Sequence, residues 1–86
     1  MKNKLQIQEK IRQFVITNSY ADEKQINDET LIFAEGIMDS MGFMSLISFL
    51  DESFSIQPNS DELLEINFES INSITDFVIN KSNSNH

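Results

Sequence analysis

The stretch Glu35–Leu46, EGIMDSMGFMSL, decides how the chain is organised. Asp39 and Ser40 stand between a segment ending in Gly-Ile-Met and a run dominated by Met, Phe and Leu. Asp ahead of such a run is a good N-cap, because its carboxylate accepts from the unpaired amides of the first helical turn. Its charge also suits the positive end of the helix dipole. A helix is therefore predicted from Ser40 to about Phe54, and Pro58 disfavours helix at Gln57. The predicted helix is unusually apolar, with Met41, Phe43, Met44, Leu46, Ile47, Phe49, Leu50 and Phe54. At roughly 100° per residue these cover more than one face. A domain of 86 residues cannot bury a helix all round. Either the core face is wide, or Met41 and Met44 are exposed or line a cavity as an adaptable apolar surface.

Outward from this stretch the pattern stays helical. Ile7, Ile11, Phe14 and Val15 form one stripe and predict a first helix over 3–18, with Leu5 and Ile16 as candidates to widen it. Asn18 and Ser19 are its expected terminators. Residues 19–38 read as a long connection, rich in Asp, Asn and Thr that favour local side-chain bonds. Leu31, Ile32 and Phe33 are expected to pin it to the core. Asn59 and Glu62 have capping-box spacing, which predicts a short helix over about 60–65. Ser70 is the expected cap of a last helix, with Ile71, Ile74, Phe77 and Val78 on its core face and Lys81 near its C-terminal end. The fold class is all-α, with four helices, the third one short. One domain is expected over residues 1–81, with 82–86 as a disordered polar tail.

Composition narrows the function classes. Cysteine is absent, which removes disulfides, thiolate catalysis and Cys-ligated zinc. The sole histidine, His86, is the last residue, so neither a histidine metal site nor a histidine base is expected. The net charge is −8 and the pI is about 4.3. No Lys or Arg occurs from residue 25 to residue 80, a stretch that carries Asp28, Glu35, Asp39, Asp51, Glu52, Glu62 and further acids. Nucleic acid and anionic membranes are poor partners for such a surface, whereas basic patches on larger proteins are good ones. No signal peptide is visible, and no apolar run approaches the roughly 20 residues of a spanning helix. A cytoplasmic monomer without membrane insertion is expected.

Three readings of Ser40 compete. As a nucleophile it would need a base, yet no structured histidine is available and no lysine lies between residues 25 and 80. As a helix-start residue it needs no further explanation. As a group acted upon by another enzyme it needs only to be presented outward on the first turn after a long loop. The third reading explains why no catalytic group accompanies it.

The residues around Ser40 also resemble a known family. Glu35-Gly-Ile-Met-Asp-Ser-Met41 resembles the phosphopantetheine attachment motif of acyl, peptidyl and D-alanyl carrier proteins. Phe33-Ala-Glu-Gly36 resembles the lead-in to that motif. Leu50-Asp-Glu-Ser-Phe-Ser-Ile56 is similar to the family's second-helix end, and Asn67-Phe-Glu-Ser-Ile71 with Ile74, Phe77 and Val78 to its fourth helix. The resemblance spans about residues 5–80 in order and spacing, and implies a four-helix bundle of the acyl-carrier type, stand-alone. It implies that a phosphopantetheinyl transferase, with magnesium bound at the transferase, moves 4′-phosphopantetheine from coenzyme A to Ser40. Asp39 is expected beside the phosphate. The arm would hold an acyl or aminoacyl group as a thioester, and the protein itself would be non-catalytic. Partner enzymes would dock along the second helix on Met41, Met44, Asp51 and Glu52.

Fatty-acid carriers usually have Leu after the serine and acids along the exposed second helix. Here Met41 and Gly42 follow, and Ser45 and Ser48 occupy that helix. The expected partners are therefore an adenylating acyl or aminoacyl ligase and a downstream transferase or synthase of specialised biosynthesis. The alternatives are a D-alanyl carrier for cell-envelope modification and an unmodified helical interaction module of the same fold. Gly42 costs about 1 kcal/mol relative to Ala inside a helix, and one use for it is close approach of a partner or the arm.

Overall fold

The computed structural model describes residues 3–84, and among these all regular structure is helical. Helix α1 spans Lys4–Asn18, α2 Ser40–Phe54, α3 Glu65–Phe68 and α4 Ile71–Ser84. Two 3-10 turns, Glu23–Gln25 and Ser60–Glu62, punctuate the connections. No helix among the described residues is long and apolar enough to cross a membrane. The expected tail at 82–86 begins as helix, because α4 continues through Ser84. Asn85 and His86 lie outside the described residues.

α1 begins with a capping box in which Asn3 accepts from the Gln6 amide at 2.9 Å and Gln6 accepts from the Asn3 amide at 3.2 Å. Its stripe of Ile7, Ile11 and Val15 is buried. Phe14 is half-buried and stacks on Phe49 of α2, with ring centroids 4.5 Å apart. Leu5 does not widen the stripe; it faces solvent. α1 packs along α4, where Gln8 donates to Asn72 at 2.8 Å. The α4 side of this contact is the expected apolar set, Ile71, Ile74, Phe77 and Val78, all buried. Ser70 caps α4 by accepting from the Ser73 amide at 3.1 Å.

The long connection is fixed by main-chain bonds. The Asn72 amide donates to the Asp28 carbonyl at 3.0 Å, and the Ile32 amide to the Glu69 carbonyl at 2.9 Å. Arg12 on α1 bonds Asp28 through two guanidinium nitrogens. Of the three residues expected to pin the loop, Ile32 is buried, Phe33 is half-buried and Leu31 is exposed. Ile37 and Met38 complete the anchoring from inside the core.

The third helix departs from expectation in position. The Asn59–Glu62 capping box forms, but it closes only the 3-10 turn Ser60–Glu62. The chain then turns at Leu63, where the Leu64 amide donates to the Glu62 carbonyl at 2.8 Å, is extended at Leu64, and re-forms one α-helical turn at Glu65–Phe68. Burial decides the shift. Leu63 and Leu64 remain exposed, whereas Phe68 enters the core and meets Phe43 and Phe77 with ring centroids 5.6 and 5.1 Å apart. Glu62 also accepts from Lys81 at 2.7 Å, which ties the turn to α4.

Candidate functional site

Asp39 and Ser40 stand at the N-terminus of α2, where the long connection ends. Asp39 is extended and its Oδ1 accepts from the Gly42 amide at 3.0 Å, the N-cap bond anticipated from sequence. Its other oxygen, Oδ2, accepts from the Tyr20 hydroxyl at 2.6 Å. The Tyr20 bond, and after it the Gly42 amide, hold the Asp39 carboxyl below the usual carboxylate range. The same bond pushes the Tyr20 phenol up, because ionising it would set two negative charges together. Ser40 is the first residue of α2 and is exposed. Its hydroxyl has no hydrogen-bond partner among the described residues.

The four docking candidates share a face with Ser40. At roughly 100° per residue, Ser40, Met41, Met44, Ser45, Ser48, Asp51 and Glu52 fall within about 140° of arc. All seven are exposed. Met41 is 78% and Met44 68% exposed, so the excess apolar character of α2 is carried outward at its start. Leu46 and Leu50 are buried on the opposite side, and Phe43, Ile47, Phe49 and Phe54 are half-buried between. Asp51 and Glu52 lie at the far end of this face, about 17 Å from Ser40 by helical rise.

An apolar cleft of about 370 Å³ adjoins Ser40. Asp39 and Ser40 line it together with Phe33, Met38, Phe43, Leu63, Leu64 and Phe68. Its inner wall is a chain of edge-on aromatic contacts, Phe33 to Phe43 at 5.7 Å and Phe43 to Phe68 at 5.6 Å between centroids. Met38 lies beneath the first turn of α2 and is only 2% exposed. It accounts for Gly42. A Cβ on Gly42 would stand 2.8 Å from the Met38 methyl carbon and 3.3 Å from Met38 Cβ. The space that the missing side chain leaves is thus filled by the chain itself, and not held open for a partner.

Sequence reasoning missed Tyr20, Met38 and Phe68 as parts of this site. Met38 precedes the cap and Phe43 follows it by four, the spacing of a hydrophobic staple, so a signal for that pair was present. Tyr20 left none, because it reaches Asp39 across nineteen residues of irregular chain.

Comparison with curated proteins returns no significant match. Comparison with protein families matches the phosphopantetheine attachment site family over residues 9–78, most of the chain. The matched span runs from α1 through the core of α4 and contains the exposed serine, its aspartate cap and the adjoining cleft. The four helices among the described residues agree with that match. The chain belongs to the phosphopantetheine attachment site family, whose members carry a covalent 4′-phosphopantetheine.

Proposed function

We propose that the chain is a non-catalytic carrier whose phosphopantetheine is attached at the Ser40 hydroxyl. The observation that carries this reading is an exposed, unbonded hydroxyl on the first turn of a fifteen-residue helix, inside the family match. A phosphodiester there lies at the positive end of the helix dipole. Asp39 beside it is held at both carboxylate oxygens, by Tyr20 and by Gly42. When bound, the arm supplies a thiol that holds an acyl or aminoacyl group as a thioester.

The rest of the chain presents and is recognised. Met41 and Met44 give partners an apolar contact near the arm, and Asp51 and Glu52 give a charged one further along α2. Ser45 and Ser48 stand on that face between them. This composition supports an adenylating ligase and a downstream transferase or synthase as partners, in specialised biosynthesis. A cytoplasmic monomer, with one carrier domain over residues 1–81, goes with this reading.

The test is direct. The apo chain is incubated with a broad-specificity phosphopantetheinyl transferase, magnesium and coenzyme A, and its intact mass is measured. The expected result is a gain of one phosphopantetheine, abolished in Ser40→Ala. No gain, or a gain that survives Ser40→Ala, overturns the assignment.

A further inference from the structure

Tyr20 is the lone tyrosine of the chain, and nothing in the packing explains its position. Its ring is 76% exposed, so burial does not hold it there. What holds it are two bonds on either side of Met38. Its main-chain amide donates to the Ile37 carbonyl at 3.0 Å, and its hydroxyl donates to Asp39 Oδ2 at 2.6 Å. Tyr20 lies two residues beyond the end of α1, which is anchored in the core by Ile7, Ile11 and Val15. One residue therefore ties the end of α1 to the two residues that flank Met38, immediately before Ser40.

We propose that Tyr20 is a positioning residue for the loading of Ser40: its hydroxyl fixes the Asp39 carboxylate in the orientation that the transferase meets. This inference rests on the assignment of Ser40 above. A carboxylate has about four acceptor sites on its two oxygens. Tyr20 and the Gly42 amide occupy one site on each oxygen. Asp39 is exposed, so its carboxylate is within reach of a cation or donor of the transferase. Without the phenol hydroxyl, the cap bond at Oδ1 alone holds the carboxylate, and the group as a whole turns more widely about Cβ–Cγ. Ser40 is the next residue, so a wandering carboxylate reaches directly into the space where the phosphoryl donor must sit. The bond is exposed and adds little to stability, which leaves orientation as its effect. Orientation of groups beside the reacting atoms acts after docking and belongs in kcat.

The experiment compares loading by the same transferase, magnesium and coenzyme A of the parent chain, Tyr20→Phe, Asp39→Ser and the double variant. Serine is also a good N-cap, so Asp39→Ser keeps the helix start while removing the oxygen that Tyr20 holds. Tyr20→Phe is expected to lower kcat by about threefold or more, with KM little changed. The same change in the Asp39→Ser background is expected to be silent, because the bond is already gone. An equal loss in both backgrounds, no loss, or faster loading of Tyr20→Phe overturns the inference. A second readout does not depend on loading. The Asp39 carboxyl, followed by carbon NMR, is expected to titrate at higher pH in Tyr20→Phe, and an unchanged midpoint also overturns the inference. A parent chain that does not load at all overturns the Ser40 assignment and this inference with it. A parent that loads but is indifferent to Tyr20→Phe overturns this inference alone.

Discussion

Gly42→Ala sets a local rule against a tertiary one. By propensity alone the change stabilises α2, by about 0.8–1.0 kcal/mol. The structure opposes this gain. The new Cβ would lie 2.8 Å from the Met38 methyl carbon and 3.3 Å from Met38 Cβ. The methyl is the free end of a flexible side chain and has the cleft beside Ser40 to swing into. Met38 Cβ has no such freedom, because the Met38 amide is fixed to the Ile32 carbonyl at 2.8 Å. Overpacking of a filled core costs about 1–3 kcal/mol, and the mobile methyl puts this site at the lower end. The two effects then cancel or the second wins, giving a loss of zero to about 1 kcal/mol.

Urea unfolding followed by circular dichroism reads the change, and in a domain of this size each 1 kcal/mol moves Tm by about 4–8 °C. The informative comparison is the same change in a Met38→Ala background. There the 2.8 Å contact with the methyl carbon is gone and only the 3.3 Å approach to Cβ remains, so Gly42→Ala should recover most of the propensity gain of about 1 kcal/mol. A gain of that size in the parent chain would refute the argument, since it would mean that Met38 does not fill the space beside Gly42.

The other predictions concern the core, the docking face and acid. Phe68→Ala removes a buried ring that meets both Phe43 and Phe77, and should cost about 3–5 kcal/mol in urea unfolding. A cost below about 1 kcal/mol would show that the α3 turn is not held by this ring. Met44→Glu should leave stability within about 0.5 kcal/mol, because the side chain is 68% exposed, while raising the transferase KM. An unchanged KM would remove Met44 from the docking surface. The Glu62 carboxyl is held below its usual 4.5 by Lys81 and then by the Asn59 amide. A carboxyl depressed on folding contributes stability above its unfolded value and loses it as the pH falls through its folded value. Glu62→Gln should therefore lose less stability than the parent between about pH 6 and about pH 3, and parallel losses would contradict the pairing.

The parts legible in sequence are those set by neighbours along the chain. The α1 stripe and the bounds of α2 follow from spacing and from single capping side chains, and both were read correctly. The exposure of Met41 and Met44 was one of two readings that the apolar helix left open, and the structure turns both outward. The third helix shows where such rules stop. Asn59 and Glu62 cap as their spacing predicts, yet a cap fixes only a turn, and continuation depends on having a side chain to bury. Phe68 supplies it, six residues beyond Glu62, so the α-helical turn forms there. Gly42 is open in sequence to a reading in terms of partners, because spacing along α2 does not show what faces it. Its neighbour in space is Met38, four residues earlier and outside the helix. Tyr20 lies in irregular chain, where no period connects it to Asp39.

The placement of Ser40 depends on the core more than on any group beside it. The Met38 amide donates to the Ile32 carbonyl, and the Ile32 amide donates to the Glu69 carbonyl, the residue after Phe68. Two main-chain bonds thus carry the position of the Phe68 ring to the residue before Asp39. Main-chain bonds leave side chains uncommitted. Ser40, Met41 and Met44 are all exposed as a result, and only Asp39 is fixed by its side chain. This division suits the proposed loading of Ser40: the backbone sets where the hydroxyl stands, and the side chains around it remain available for recognition. It also means that a core change can disturb loading without touching the surface. A Phe68 variant that stays folded but loads slowly should regain its rate when α3 is re-anchored, for example by a larger aliphatic residue at 68, whereas restoring charge on α2 should have no effect.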